Sequence, residues 1–341
     1  PAPPPPPPPG APPGGRREGG GGRPPRRSRP FPLRRVVVIG LVLVLALPVG
    51  LFLFGWWQFS RIPRVDVAAA LSSSSGTSGT NYLIVGTDSR EGIDPDDPNA
   101  GAFLAEDVAG ARTDTIMVLR MESGGARLLS IPRDLWVQNP ATGEMGRVNS
   151  TFAQGPANLV TAVRNLGIPV EHYLEINFVS FGRLVDAVGG ITIEVPAPAR
   201  DANSGLQIDT AGSVTLDGSQ ALAYVRSRYY EELVDGTWRS DPTGDIGRTE
   251  RQRVFLSAMM SAIGGERNPL ALARIPGSLG AGMKIDDTLG YLDALRLAWD
   301  FRGTSPDAVA LPVTPRTTSG GAAVLELQEP GAAEVIASFG R

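Results

Sequence analysis

The chain has 341 residues, 42% of them hydrophobic, with a formal net charge of −3, one histidine and no cysteine. The absence of cysteine excludes a disulfide framework, a thiol nucleophile and a thiolate metal site, and the single histidine, His172, nearly excludes a histidine-based zinc site. The length is that of one large domain or two small ones once any tails are removed.

The first part of the chain divides into three segments by composition. Residues 1–35 are rich in proline, glycine and arginine, and we predict a disordered cytoplasmic tail, either simply solvated or serving as a polyproline ligand. Residues 36–57 form an uncharged apolar run, long enough to cross a bilayer as one helix, with arginines before it and Trp56 and Trp57 at its far end. Residues 58–79 include a Ser/Gly/Thr-rich stretch and are predicted to be an extracellular linker.

Charge separates the tail from the remainder of the chain. Residues 1–35 hold 8 arginines and 1 glutamate, so subtraction from the totals of 32 and 35 leaves 24 basic and 34 acidic residues elsewhere. The positive-inside rule then places the tail in the cytoplasm and residues 80–341, the predicted globular domain, outside the cell. An acidic outer domain argues against general nucleic-acid binding, which needs a basic face.

The predicted domain alternates strands and helices. Its first strand, Tyr82–Val85, is broken by Gly86 and followed by Asp88 and Arg90. Further strands are predicted at 112–119, 127–132, 173–178, 191–195, 308–313 and 322–327, and helices at 149–164, 180–188, 216–224, 248–263 and 289–299. This alternation predicts an α/β layered domain, in which charged motifs at the ends of strands can converge on one crevice.

Arginines, several of them with a neighbouring aspartate, recur at the ends of these apolar segments. The candidate residues are Asp88, Arg112, Asp114, Arg133, Arg226, Arg228, Asp245, Arg248 and Gln252. The planar guanidinium donates two parallel hydrogen bonds to phosphate and stays charged. Carboxylates such as Asp88 and Asp114 are the hard oxygen ligands that magnesium prefers. The set as a whole suits a metal-bound pyrophosphate.

Six motifs in this order resemble the LytR-CpsA-Psr family, in the form associated with high-GC Gram-positive bacteria. They are GTDSR at 86–90, RTDT at 112–115, SIPRD at 130–134, NFVSFGRLVDAVGGITIEVP at 177–196, LDGSQALAYVRSR at 216–228 and DIGRTERQ at 245–252. The resemblance covers residues 81–263. It implies an αβα layered domain with a central mixed β-sheet flanked by helices, preceded by a single transmembrane helix.

The resemblance also implies an enzyme of the cell envelope, with its catalytic domain outside the cell membrane. Such an enzyme moves a glycan-phosphate from a polyprenyl-pyrophosphate lipid to a peptidoglycan hydroxyl, and the glycan is a teichoic acid, a capsule or an arabinogalactan. Magnesium, or manganese in its place, is implied at Asp88 and Asp114. The implied pyrophosphate ligands are Arg112, Arg133, Arg226, Arg228, Arg248 and Gln252, with Asp245 close by.

Several points stay open at this stage. Asp88 and Asp245 are both candidates to take the proton from the acceptor hydroxyl, and weak general-base assistance is a third option. A lipid-pyrophosphate hydrolase and a non-catalytic lipid-binding regulator are the alternative functions. Two inserts, 91–111 and 229–244, are predicted to lie beside the site and to influence acceptor or donor choice. Apolar residues on the helices at 157–166, 181–188 and 254–263 are either tunnel lining for the polyprenyl tail or ordinary core.

Overall fold

The computed structural model of the chain describes residues 33–73, 79–87, 113–242, 245–265, 275, 277, 282–300 and 306–340. The tail predicted over residues 1–35 lies almost entirely outside these ranges, as does the first insert, 91–111. Seven helices are described: α1 (Leu33–Phe59), α2 (Pro156–Asn165), α3 (Phe178–Ala187), α4 (Gly218–Arg226), α5 (Asp245–Gly265), α6 (Tyr291–Asp300) and α7 (Gly331–Gly340).

Seventeen strands are found in the same ranges. They are β1 (Arg64–Val65), β2 (Gly79–Thr87), β3 (Thr113–Glu122), β4 (Gly125–Ile131), β5 (Trp136–Gln138), β6 (Met145–Arg147), β7 (His172–Asn177), β8 (Ile191–Val195), β9 (Ala199–Asp201), β10 (Leu206–Ile208), β11 (Gly212–Leu216), β12 (Glu231–Val234), β13 (Thr237–Ser240), β14 (Met283–Asp286), β15 (Asp307–Ala310), β16 (Val313–Thr317) and β17 (Ala323–Leu327).

The main sheet has seven strands in the order β1-β14-β7-β2-β3-β4-β15. It is mixed: β2 runs parallel to β7 and antiparallel to β3, and β15 runs parallel to β4. Alternate residues of β3 face opposite sides of the sheet. Met117 and Leu119 pack in a first hydrophobic core on one face, and Ile116 and Val118 pack in a second core on the other face. Helices cover both faces, which confirms the predicted αβα arrangement around a central mixed sheet.

The two cores use different helices. Buried residues of α3, α4 and α5 pack in the first core, whereas those of α2 and α7 pack in the second. The helices predicted at 157–166, 181–188 and 254–263 therefore lie on opposite faces of the sheet. They cannot all line one tunnel, and the apolar residues Leu159, Val160 and Val163 are ordinary core on the second face.

Residues 58–73, predicted as linker, belong to the folded unit instead. β1 pairs with β14 through Arg64 and Val65. Phe59, Ile62 and Val67 are buried in the cores, because the apolar positions in this segment face the sheet and its helices. The boundary of the folded domain thus lies well before residue 80, and compactness alone groups residues 48–341 together.

The apolar run predicted to cross the membrane, residues 36–57, is helical within α1. None of the helices in the described ranges combines the length and the hydropathy that crossing a membrane requires. The membrane crossing is therefore not shown and stays a prediction.

A buried arginine fastens α7 to the sheet. Arg120 on β3 is 1% exposed, and its guanidinium donates to the carbonyl of Phe339 (2.8 Å) and to Asn81 Oδ1 (3.3 Å). Its Nε donates to Glu122, and this hydrogen bond, opposed by burial, lowers the pKa of Glu122. Arg120 thus satisfies one of the carbonyl groups that the C-terminal end of α7 leaves without helical partners.

We expect Arg120→Leu to lower the free energy of unfolding by ~3 kcal/mol, because carbonyl and carboxylate groups would be left without their buried partner. Urea unfolding of the purified protein measures the change. The matched control is Arg316→Leu, which removes an exposed pair with Glu326 and should cost less than ~1 kcal/mol. Equal losses in the two variants would contradict the role given to Arg120.

Candidate active site

The candidate site lies at the edge of the main sheet where β2 and β7 end. Their last residues, Thr87 and Asn177, are paired, and β3 begins at Thr113 opposite Thr87. Asn177 also caps α3, since its side chain accepts from Ser180 N at 2.9 Å. The parallel pairing of β2 with β7 and the antiparallel pairing of β2 with β3 thus bring the ends of β2 and β7, the start of β3 and the start of α3 to one place. Ligand sites in α/β sheets form at such an edge.

The pairing of β2 with β3 is irregular at this edge. Gly86 pairs with Thr115 and Thr87 with Thr113, so Asp114 is an extra residue in the register. Such bulges re-aim side chains and are frequent beside active sites. The backbone of Asp114 therefore lies at the edge where the sequence predicts it, although its side chain is outside the description. Asp88, Arg90 and Arg112 also lie outside the described residues.

The oxygen atoms at this edge fit the predicted magnesium. Thr87 is fully buried, and its Oγ1 has no hydrogen-bond partner among the residues that the structure describes. A hydroxyl beside two aspartate positions supplies hard oxygen donors, which suit magnesium better than softer metals. No group of three or more histidine, aspartate or glutamate side chains that could hold a metal ion is found in the described ranges. A metal site would therefore depend on Asp88 and Asp114, whose side chains are not described.

Arg133 reaches the same edge from β4. It follows Ile131 and Pro132, its side chain is half-buried, and its Nε lies 3.5 Å from Asp134 Oδ2. The carbonyl of Arg133 accepts from Asn149 N at 3.2 Å, and Thr113 Oγ1 donates to the carbonyl of Asn149 at 3.4 Å. Asn149 thus ties the Arg133 loop to the start of β3.

The next two arginines flank a turn: Arg226 is the last residue of α4 and Arg228 follows Ser227. One buried carboxylate fixes the shape of this turn. Asp201 at the end of β9 is 1% exposed. Its Oδ2 accepts from Ser227 Oγ (2.7 Å), Arg228 N (3.0 Å) and Tyr229 N (2.9 Å). Since these donors are the backbone and the Ser227 hydroxyl, the guanidinium groups on either side take no part in these three bonds.

The charge on Asp201 is stabilised where it lies. Burial raises the pKa of the Asp201 carboxyl, but hydrogen bonds from Ser227, Tyr229, Asn203 and Ser204 outweigh burial, so the pKa is lowered. Because its pKa in the folded state is lowered, the ionised carboxylate stabilises the fold at every pH above the ordinary aspartate pKa. This contribution is lost only as the pH falls through the folded-state pKa. At neutral pH the turn therefore rests on an ionised acceptor.

Helix α5 holds the same turn from the other side. Arg251 is buried and donates to the carbonyl of Ser227 (2.8 Å) and to Asp241 Oδ2 (2.8 Å), and its guanidinium lies 4.4 Å from the Tyr230 ring centroid. Gln252 Nε2 donates to the carbonyl of Val225 at 3.1 Å. Gln252, predicted to bind pyrophosphate, thus has a contact that positions the turn, and its ligand role stays a prediction.

Arg248 lies one turn earlier on α5 than Arg251 and Gln252. The i, i+3 and i, i+4 spacing puts the three residues on one face of the helix, directed towards the end of α4. Arg248 is buried, so its charge is kept near the arginine turn rather than in bulk water. The backbone of Asp245 begins α5, whereas its side chain is outside the description.

An aromatic cluster joins the arginine turn to the edge of the sheet. Phe181, in the first turn of α3, lies 5.3 Å from Phe255 of α5, and Phe255 lies 6.4 Å from Tyr224 of α4, measured between ring centroids. Tyr224 precedes Arg226 by two residues, and α3 begins where β7 ends. Packing therefore connects α4, which ends at Arg226, with α3, which begins at the end of β7.

Asp201 and Arg251 are the two important residues that the sequence did not single out. Asp201 begins Asp-Ala-Asn-Ser-Gly, and its Oδ1 accepts from Asn203 N and Ser204 N, which is the signature of a local turn. Its hydrogen bonds from Ser227, Arg228 and Tyr229 join residues far apart in the chain, so no pattern in the sequence around Asp201 indicates them. Arg251 could have been found, since it lies three residues after Arg248 and so shares a helix face with it.

The model of the LytR_cpsA_psr family matches residues 60–337. The chain belongs to this family, as the sequence motifs predicted. The match also begins at residue 60, in agreement with the early start of the folded domain.

Two relatives and one solved structure are particularly similar. The probable cell wall biosynthesis protein LcpB of Corynebacterium glutamicum is 38% identical over 66% of this chain and 50% of its own length, so the chain spans about half of that relative. The polyisoprenyl-teichoic acid–peptidoglycan teichoic acid transferase TagU of Enterococcus faecalis is 30% identical over 78% of this chain and 82% of its own. A LytR-Csp2A-Psr enzyme from Actinomyces oris superimposes with a TM-score of 0.65 at 30% identity, over 82% of this chain and 96% of the other.

Proposed function

We propose that this protein transfers a glycan-phosphate from a polyprenyl-pyrophosphate carrier to a hydroxyl of peptidoglycan. The observation that carries the proposal is the turn that holds the backbone of Arg226 and Arg228, which is fixed by hydrogen bonds to Asp201 and from Arg251. Guanidinium groups suit a diphosphate, whose negative charge they neutralise in the ground state and in the transition state. The family and the name of the relative TagU support transfer as the reaction.

The proposed reaction is an in-line displacement at the glycan-side phosphorus. The acceptor oxygen forms a bond to that phosphorus, the bond from phosphorus to the bridging oxygen breaks, and polyprenyl phosphate leaves with the bridging oxygen. Arg133, Arg226, Arg228 and Arg248 bind and orient the diphosphate, and their charges stabilise the departing phosphate. The hydroxyl proton passes to a carboxylate, for which Asp88 and Asp245 are the candidates.

Magnesium, or manganese in its place, belongs to the proposal as a group held by Asp88 and Asp114, and when bound it would supply positive charge to the phosphate oxygens. The buried hydroxyl of Thr87, which has no hydrogen-bond partner among the described residues, supports a cation at this edge. The location is also proposed: the folded domain lies outside the cell and is held at the cell membrane, where a lipid-linked donor and peptidoglycan meet. Uncharged residues 36–57 after an arginine-rich tail support that location.

The test uses the full chain in detergent with magnesium, a polyprenyl-pyrophosphoryl sugar and soluble peptidoglycan fragments, with the products followed by mass spectrometry. We expect a peptidoglycan fragment that has gained one sugar-phosphate, in equal amount with polyprenyl phosphate. EDTA should abolish this product, and added magnesium should restore it. Free sugar-phosphate without a modified fragment would instead assign the site to hydrolysis, and tight lipid binding without turnover would assign it to regulation.

A further inference from the structure

The exposed face of α6 is apolar in a regular pattern. Leu292, Leu295 and Trp299 are 60%, 40% and 67% exposed, and their spacing of three and four residues places them on one side of the helix. Tyr291, Ala294 and Leu297 face inwards and pack against the first core. Both the inner and the outer faces of α6 therefore carry large apolar side chains. Contiguous apolar surface of this kind marks a contact site.

The same surface continues onto the C-terminal half of α1. Tyr291, the first residue of α6, packs against Phe52 and Phe59 with ring centroids 5.3 and 5.5 Å apart. Gly55 allows this closeness, since a Cβ there would collide with the Tyr291 hydroxyl. A cleft of about 530 Å³ between the two helices is lined by apolar side chains of Phe52, Leu53, Trp56, Tyr291 and Leu292, together with Gly290 and Asp293.

We name the joint surface the α1–α6 patch and define it by its exposed members: Phe52, Leu53, Trp56, Leu292, Leu295 and Trp299. Its border on α1 has the chemistry of a membrane interface. Trp56 and Trp57 are both about half exposed, and the guanidinium of Arg61 lies 3.5 Å from the Trp57 ring centroid. Tryptophan and arginine together favour the headgroup region, where an apolar ring meets lipid and a charge meets phosphate and water.

We infer that the α1–α6 patch contacts a phospholipid bilayer, with α6 lying in the boundary between the headgroups and the acyl chains. Two features favour lipid over a protein partner. The α1 residues of the patch belong to a stretch of the sequence, 36–59, that has no charged residue, and a helix with a wide apolar face needs no matching shape to enter lipid. This inference rests on the membrane location in the proposed function and extends it, because a second contact on α6 would fix the orientation of the catalytic domain.

Fixed orientation has a structural basis in the residues after α1. β1 pairs with β14 directly after the helix, and Arg64 donates to the carbonyls of Asp286 (2.9 Å) and Leu289 (2.7 Å), just before α6 begins. The C-terminal end of α1 is thus tied to the start of α6 through hydrogen bonds.

The chain has no cysteine, so a single introduced cysteine can carry an environment-sensitive NBD fluorophore. The full chain with Trp299→Cys or Leu295→Cys is labelled and reconstituted into vesicles of phosphatidylethanolamine and phosphatidylglycerol. We expect a blue-shifted emission and strong quenching by lipids that carry a spin label near the headgroup end of the acyl chain. The matched control is Thr142→Cys, an exposed position in the β5–β6 hairpin beside the second core, where the emission should stay that of a water-exposed dye.

Each other result has a defined meaning. Water-like emission at both 295 and 299 while the chain stays vesicle-bound would overturn the inference and leave the membrane location intact. Failure of the chain to co-sediment with vesicles would overturn both. A blue shift that depends on protein concentration without lipid would assign the patch to a second copy of the chain. The transfer assay on the same labelled samples reports on the proposed reaction independently.

Discussion

Replacing Arg226 with alanine is expected to lower kcat/KM for glycan-phosphate transfer by roughly 100-fold, the loss seen when one charge-stabilising donor is removed from a preorganised site. The Asp201 bonds that shape the turn go to the Ser227 hydroxyl and to the backbone of Arg228 and Tyr229. The substitution leaves these bonds in place, so the fold should be retained. Initial rates from the mass-spectrometric assay, with circular dichroism as a check of folding, measure the effect.

Two further variants make the Arg226 test specific. Arg226→Lys keeps the charge but loses the planar fork, so its activity should lie between those of the wild type and the alanine variant. Arg239→Ala removes an arginine that is more than half exposed on β13, where it pairs with Asp235 at 3.7 Å, and should transfer at the wild-type rate. Wild-type activity in Arg226→Ala would remove this residue from the site.

The second large effect is expected at Asp201. Asp201→Ala should lower the free energy of unfolding by ~3–5 kcal/mol, because several buried donors lose a charged acceptor. It should also reduce transfer strongly, because Arg226 and Arg228 would no longer be held in one geometry. Urea unfolding and steady-state kinetics at a temperature where the variant is folded separate the two losses.

The control for Asp201→Ala is Asp217→Ala, at the N-terminal end of α4, the helix that ends at Arg226. Asp217 is exposed and caps α4, accepting from Gln220 N at 2.8 Å. Asp217→Ala should cost ~1 kcal/mol and leave transfer unchanged. Asp201→Asn keeps the shape and one acceptor oxygen, and it should restore part of the activity that Asp201→Ala loses. If Asp201→Ala is destabilised but turns over at the wild-type rate, Asp201 is structural only.

Local patterns located most of the main elements. The predicted strand Tyr82–Val85 lies within β2, and the predicted helix 180–188 nearly coincides with α3. The helix predicted over 149–164 is instead a 3-10 turn followed by α2, because Gly155 has φ +101° and Pro156 begins a new helix. The single strand predicted over 308–313 is divided between β15 and β16.

Other elements depend on partners that are distant in the chain. The second insert, 229–244, contains the hairpin β12–β13, which joins β9 and β10 in a small separate sheet. Its strands are short and rich in polar residues, so they lack the alternation that would identify them. α7 was missed for a similar reason: it is held by Arg120 and Arg127, more than 200 residues away, rather than by a strong local pattern.

The sequence by itself determined the α/β class and the family and predicted the residue types of the candidate site, because strand and helix periodicity and the spacing of the arginine motifs are local properties. The tertiary structure alone decided which face each helix covers, where the folded domain begins, and how the arginine turn is held. Those features depend on contacts such as Asp201 with Arg228 and Tyr291 with Phe52. Their partners are far apart in the chain, so no local pattern encodes their pairing, which arises only when burial and hydrogen bonding are satisfied together.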